Sequence, residues 1–408
     1  MSATVIVGLQ FGDEGKGKII DRAAGDFDVV IRYNGGANAG HTVENALGVF
    51  KLHLVPSGIF NPAALCILGN GAVVDPDVLL KELDELAAAG VDTRNFRLSS
   101  RAHLVMPWHK VADKASEAAK GSAAIGTTGR GIGPCYGDKV ARVGIRAGEL
   151  CDPVSFAARI AASGRGDAPS PEDILRWSAR LAPLIDDTDV LAREALARGK
   201  RVLLEAAQGT MIDLECGTYP FVTSSYATSA GACIGSGLPP TAIGKVVGVA
   251  KAYTTRVGNG PFVTELLDEI GERLRKAGNE FGTTTGRPRR CGWFDIPLAR
   301  YAAEVNGTTE IVLTKLDVLS ALPALKVCVG YVRGGMLLSR PPGPAVPYEG
   351  CKPAYVELPG WSSPIAGVTR WDGLPPEARA YVEYLEAEVG VRIAAVATGP
   401  HRDAIITR

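Results

Sequence analysis

The 408 residues carry no net charge, because 44 basic residues balance 44 acidic ones. That balance argues against broad binding to nucleic acid or to an anionic membrane, though not against a local basic pocket. No run of about 18 apolar residues occurs, so no transmembrane helix is expected. The start, Met1-Ser2-Ala3-Thr4, lacks both a basic n-region and a long apolar h-region, and no signal peptide is expected. None of the eight cysteines forms a C-x-x-C pair, which argues against a zinc site. Thiols scattered through a large chain suggest a reducing, cytoplasmic setting. Disorder finds no support either: hydrophobic residues make up 46% and charged residues 22%, ordinary values for a globular protein.

Short apolar runs alternate with helix-like stretches. Strands are expected at 4–9, 29–33, 65–68, 202–206, 246–250, 310–314, 325–332 and 392–397. Helices are expected at 15–24, 76–89, 107–120, 152–163, 171–182, 186–198, 295–306 and 377–389. Asp75-Pro76 is a capping residue followed by proline in the first turn, and Gly90 closes that helix. Such alternation predicts an α/β fold: a mainly parallel central sheet with helices on both faces. No repeat and no linker interrupts it, so 1–408 reads as a single elaborated domain. The Pro/Gly-rich stretch 335–364 reads as a surface excursion, and 121–137 as a long functional loop.

Gly12-Asp13-Glu14-Gly15-Lys16-Gly17-Lys18 has the spacing G-x-x-x-x-G-K between a strand and a helix. Glycines let backbone N–H groups approach phosphate oxygens, and a helix N-terminus favours their charge. The next residue is Ile19, not the usual Ser or Thr that binds magnesium. A metal would need another oxygen, and Asp13 is the candidate inside the loop. The second strand runs into Asn34-Gly35-Gly36-Ala37-Asn38-Ala39-Gly40-His41-Thr42, which brings one of only five histidines to the same sheet edge.

Thr314-Lys315-Leu316-Asp317 follows an apolar strand. A carboxylate is an acceptor-only fork matching the N1–H and N2–H₂ donors of guanine, and adenine would leave it unpaired. Together with the phosphate loop this predicts a P-loop-like architecture that binds GTP. The run 281–290 holds three threonines and three arginines, groups that suit carboxylate and phosphate. Ile125 to Pro134, Gln208-Gly209-Thr210 and Val222-Thr223-Ser224-Ser225 are further polar or glycine-rich turns. Gln208 offers an amide that could read a base edge.

Taken together, in this order and spacing from Val5 to about Pro400, these motifs resemble the adenylosuccinate synthetase family. The resemblance implies a carbon–nitrogen ligase of purine biosynthesis that uses GTP and Mg2+ to join IMP to L-aspartate through a 6-phosphoryl intermediate. It implies catalytic roles for Asp13, Lys16, His41 and Gln208. Asp13 would take the N1 proton of IMP and, with the carbonyl of Gly40, hold the metal. His41 would serve as general acid, and Lys16 would neutralise phosphoryl charge. Asp13, Lys16, Asn38, His41, Thr128, Gln208, Thr223 and Arg287 match IMP-contacting positions. Arg142 matches one that reaches IMP across a homodimer interface. Gly12, Glu14, Gly15, Lys16, Gly17, Lys18, Gly40, Thr42, Arg289, Lys315, Leu316, Asp317, Ala397, Thr398 and Gly399 match the GTP site. Thr283, Thr284, Thr285, Gly286, Arg287 and Arg289 match the loop that takes aspartate.

Three positions depart from the pattern: Phe11 where Trp is frequent, Pro288 inside the arginine run, and Ala397 where Ser is common. Two rivals stay open at this point. A regulatory GTPase would share the phosphate loop and Thr314 to Asp317, but would need the hydroxyl that Ile19 lacks. A paralogue acting on a modified purine nucleotide would share nearly everything. The glycine content of 34–55, 121–137 and 279–291 suggests that these segments tighten when ligand binds.

Overall fold

A computed structural model describes residues 2–121, 124–282, 286–343 and 347–408. Runs rich in Val, Ile and Leu build a ten-stranded sheet. Its strands are β1 (Ala3–Gly8), β2 (Val29–Arg32), β3 (Leu65–Leu68), β4 (Phe96–Ser99), β5 (Ile185–Asp186), β6 (Val202–Glu205), β7 (Ile243–Lys251), β8 (Glu310–Thr314), β9 (Ile393–Ala397) and β10 (Ile405–Thr407). The order across the sheet is β10-β9-β8-β7-β1-β6-β2-β3-β4-β5. Neighbours run parallel except for β9 and β10. Val5 is level with Leu204 on one side and Val246 on the other.

Alternate side chains enter different cores. Val5, Val7, Ile31 and Leu204 join one apolar cluster. Ile6, Val30 and Leu203 join a second. A sheet buried on both faces explains why its strands read as continuous apolar runs.

Helices begin where the sequence supplies caps. Asp75 accepts the N–H groups of Asp77 and Val78 at the start of Pro76–Ala88, and Ser170 accepts that of Asp173 at Pro171–Leu181. By contrast, helix α1 (Lys16–Ala23) starts after Gly15 at φ 87° with no capping side chain. Its leading N–H groups are left for another acceptor, which a phosphate site requires.

Three expectations change. Residues 121–137 are not one loop, because helix α2 (Ile132–Ala141) begins inside them. Ile132, Cys135 and Tyr136 bury one face of it, and Pro134 falls in the first turn, where its missing N–H costs no hydrogen bond. The strand expected at 325–332 exists, as Ala324–Arg333, but belongs to a separate four-stranded sheet. The excursion 335–364 contributes Lys352–Pro359 to that same sheet, antiparallel to Ala324–Arg333. Residues 41–52 form a hairpin, His41–Asn45 paired with Gly48–Leu52.

Candidate active site

In a parallel sheet every strand ends at the same edge, and ligands bind there. The nominated residues follow the C-terminal ends of five strands that lie across the sheet in the order β9, β8, β1, β6, β2, with β7 between β8 and β1. β9 leads to Ala397–Gly399, β8 to Lys315–Asp317, β1 to the phosphate loop, β6 to Gln208, and β2 to Asn38, Gly40 and His41. The phosphate loop is thus central, with the candidate guanine reader on one side of it and candidate IMP contacts on the other.

The loop is held from within. Glu14 is fully buried, and its carboxylate accepts the N–H groups of Gln10 at 3.0 Å and Gly12 at 2.9 Å, and the Lys16 ammonium at 2.5 Å. Its side chain shapes the loop and does not face outward. The Gln10 amide accepts from Lys251 N–H at 3.0 Å and donates to the carbonyl of Tyr253 at 3.0 Å, which ties the loop to the end of β7. The Thr314 hydroxyl donates to the Glu14 carbonyl at 2.6 Å. Gly209 approaches so closely that a Cβ there would strike Gly12 and Gln10. A Cβ on Gly17 would lie 3.0 Å from the His41 side chain, so glycine there admits the histidine segment against α1.

Asp13 sits at φ 58° with its carboxylate 28% exposed. Arg289 Nε lies 2.8 Å from Asp13 Oδ2, an ion pair whose angle falls short of a directed hydrogen bond. Among the described residues seven other than glycine have positive φ, and four of them are nominated here: Asp13, Arg142, Gln208 and Lys315. Each such conformation costs about 1–3 kcal/mol, and strain of this kind concentrates at functional sites.

His41 is buried, and its Nδ1 lies 2.6 Å from Glu205 Oε1. Ser57 supports the same carboxylate through its hydroxyl at 2.9 Å and its N–H at 2.8 Å. Burial pushes the imidazole below its ordinary pKa, and the Glu205 carboxylate opposes that only in part. The ring therefore rests neutral, with its proton on Nδ1 toward Glu205 and Nε2 left as the reactive nitrogen. Burial alone would raise Glu205. The His41 bond, Arg32 and the Ser57 N–H outweigh it and hold the carboxylate below its usual range.

Asn34 joins the IMP candidates. It donates to the Ala207 carbonyl, Gln208 and Ser225 at 3.2, 3.2 and 3.1 Å. Gln208 donates to Asn38 at 3.3 Å, and Ser225 lies 3.5 Å from the Thr223 hydroxyl. Asn38, Gln208 and Thr223 therefore form one polar cluster. On the other side, Lys315 donates to the Gly278 carbonyl at 2.5 Å. Burial raises the half-buried Asp317 carboxylate above its usual range, which favours an incoming pair of donors. Lys18 turns away from the phosphate loop. Its ammonium binds the carbonyls of Gly399 at 2.6 Å and Ala404 at 2.8 Å, and burial lowers it to about 8. It staples the turn after β9 to α1.

Other nominated residues stand apart. Thr42, Thr128, Gly286 and Arg287 are exposed. Arg287 approaches Gly126, whose added Cβ would lie 3.6 Å from the guanidinium. Arg142 is exposed at the C-terminal cap of α2, between the exposed Val140 and Val143. Thr283, Thr284 and Thr285 lie outside the described residues. Phe11 is covered by the Arg256 guanidinium, 4.5 Å from the ring centroid, so an aromatic face is retained at this position.

Sequence reasoning missed Glu205, Lys251, Glu280 and Arg32. Three of them carried a signal: a charged residue closing an apolar strand, as in Val202–Glu205, Ile243–Lys251 and Val29–Arg32. A charge there is buried at the ligand edge.

The sequence model of the family described as adenylosuccinate synthetase matches residues 5–406. The chain is 53% identical to the adenylosuccinate synthetase of Moorella thermoacetica, over 100% of this chain and 99% of that protein. It is 49% identical to that of Heliobacterium modesticaldum, with the same coverage. The solved structure of fully ligated adenylosuccinate synthetase from Plasmodium falciparum matches with a TM-score of 0.95 at 37% identity, covering 100% of both chains. Succinoaminodeoxyadenylate synthetase of cyanophage S-2L, bound to dGMP and to dATP as an energy donor, matches at TM-score 0.67 and 21% identity, over 100% of this chain and 95% of that one. That likeness is one of fold.

Proposed function

The chain belongs to the adenylosuccinate synthetase family, and we propose that its sheet edge uses GTP to join IMP to L-aspartate in purine biosynthesis, with Asp13 as the base that starts the reaction. One observation carries this reading. β1 and its phosphate loop lie between the strands bearing Lys315 and Asp317 and those bearing Asn38, His41 and Gln208. Two nucleotides entering from opposite sides would meet end to base over Asp13.

The 6-oxygen of IMP is a poor leaving group. Asp13 takes the N1 proton, and the 6-oxyanion attacks the γ-phosphorus of GTP as the bond to GDP breaks. The uncapped N–H groups of α1 and the Lys16 ammonium receive the charge on the transferring group. Lys16 leaves Glu14 in part to do so. His41, oriented by Glu205, presents Nε2 to the phosphoryl oxygens and gains a proton as their negative charge approaches. The neutral aspartate amine then attacks C6, the C6–O bond breaks, phosphate departs, and the proton the amine loses leaves with phosphate or solvent. Arg287 and Arg289 offer forks for the aspartate carboxylates.

Mg2+ fits this arrangement. Among the described residues no three His, Cys, Asp or Glu side chains gather as a cage. A partly exposed Asp13 carboxylate with the half-buried Gly40 carbonyl suits a hard ion that takes its other oxygens from water and substrate phosphates. When bound it would withdraw charge from the transferring phosphoryl group. Arg289 would then have to yield its place on Asp13. Arg142, exposed at the end of α2, is assigned to the IMP site of a second copy in a homodimer.

The test is an absorbance assay for adenylosuccinate with IMP, GTP and aspartate omitted in turn. Product should require all three. Phosphate release from GTP alone at the full rate would point instead to a GTPase.

A further inference from the structure

Glu280 touches none of the substrates in the mechanism above, yet it has no exposed surface and its carboxylate gathers cations from every side. Oε1 accepts from the Lys251 ammonium at 2.9 Å and from the Tyr253 hydroxyl at 2.5 Å. The Lys315 ammonium lies 3.9 Å from the same oxygen. Oε2 accepts from Arg289 Nη1 at 2.7 Å. Burial would raise this carboxyl, but Lys251, Lys315 and Arg289 overcome it and hold it ionised, down to about 2.

The contacts close a ring. Gln10 is bonded to the backbone of Lys251 and Tyr253. Both of those side chains end on Glu280, Glu280 holds Arg289, and Arg289 pairs with Asp13 at 2.8 Å. Asp13 is three residues from Gln10. The backbone reinforces this placement. Asn279, at φ 48°, turns the chain out of helix α3 (Glu269–Ala277). The N–H of Arg289 then bonds the Glu280 carbonyl at 2.9 Å. A buried ion pair is weak evidence for stability, since apolar packing of similar volume often does as well. What this one accomplishes is geometric: one carboxylate fixes the arginine beside Asp13 and lies within reach of the lysine of the base reader.

We propose that Glu280 is a positioning residue that sets Arg289 against the Asp13 centre and steadies Lys315, so that its charge governs the use of GTP and aspartate while leaving IMP binding alone. When Asp13 gives up Arg289, Glu280 retains Nη1, and the arginine pivots on that bond with Nε and Nη2 turned toward incoming anions. This role rests on the synthetase reading given above.

The test compares steady-state kinetics of the wild-type chain, Glu280→Gln, Arg289→Lys and the double variant, varying each substrate. Glu280→Gln should lower kcat/KM for GTP and for aspartate about 10²-fold, the scale expected when a positioning group is displaced by an ångström. KM for IMP should stay within about twofold of wild type, and the double variant should lose much less than the product of the single losses. A merely structural role would lower all three substrates' parameters together, with losses that multiply, and would overturn the proposal. So would Glu280→Gln kinetics indistinguishable from wild type. If Glu280→Gln does not fold, Lys251→Met combined with Glu280→Gln removes the stranded ammonium, and the same comparison is made on that chain. A wild-type chain that forms no adenylosuccinate would overturn the synthetase reading and this role with it. An active wild type with an unaffected Glu280→Gln would overturn this role alone.

Discussion

The two halves of the site are built differently. The inner half, from the phosphate loop to His41 and Gln208, consists largely of buried and half-buried groups bonded to one another. Glu14 is spent inside its own loop, and His41 is fixed by Glu205. The outer half, Thr128, Arg287 and Arg142, stands exposed. The difference separates two tasks. Phosphoryl transfer is favoured by charges set in advance, because reorganising them during reaction is costly, and in the inner half only Lys16 and Asp13 have to exchange a partner. Substrate capture needs an open door.

Single changes on either side sharpen this contrast. In the inner half, Glu205→Gln keeps the shape but removes the charge that orients His41 and would stabilise its protonated form. Turnover should fall about 10²-fold, on the scale of a lost general acid, while KM for IMP changes little. A large rise in KM with unchanged kcat would place His41 in binding instead. In the outer half, Arg142→Ala should raise KM for IMP about 10-fold, the worth of one charge-assisted contact, with kcat nearly intact. At IMP well below the raised KM, mixing Arg142→Ala with an inactive Asp13→Asn chain should raise the rate above that of Arg142→Ala alone, because a mixed dimer would hold one site with both residues present. No recovery on mixing would break the cross-subunit assignment.

Much of the inner half was legible in the sequence because its constraints are local. Gly12 to Lys18 announces a strand, a turn and a helix in seven residues, and that turn does join β1 to α1. The strands at 65–68 and 310–314 lie where the apolar runs put them. What stayed hidden was tertiary. Glu205 and Glu280 are meaningful only through partners 164 and 29 positions away, His41 and Lys251. Lys18 looked like the phosphate lysine by spacing, yet it serves the turn at Gly399, 381 residues distant. Helix α2 was hidden by composition, since Gly133, Pro134 and Gly137 disguise the spacing of Ile132, Cys135 and Tyr136. Of the outer residues, Arg287 lies in a Thr/Arg run whose chemistry suits anions, whereas Thr128 and Arg142 could be assigned only by resemblance to the family, because an isolated exposed threonine or arginine leaves no physical mark in one sequence.

The central claim is that the carboxylate at 13 draws the N1 proton so that IMP, not water, takes the phosphoryl group. Positional isotope exchange between the β,γ-bridging and β-nonbridging oxygens of GTP, with IMP present and aspartate absent, tests it most directly. Exchange should occur in the wild-type chain only when IMP is added. It should drop by about 10²–10⁴-fold in Asp13→Asn, the range for a lost general base, although that variant still binds both nucleotides. Exchange that persists at the wild-type rate in Asp13→Asn would contradict the account.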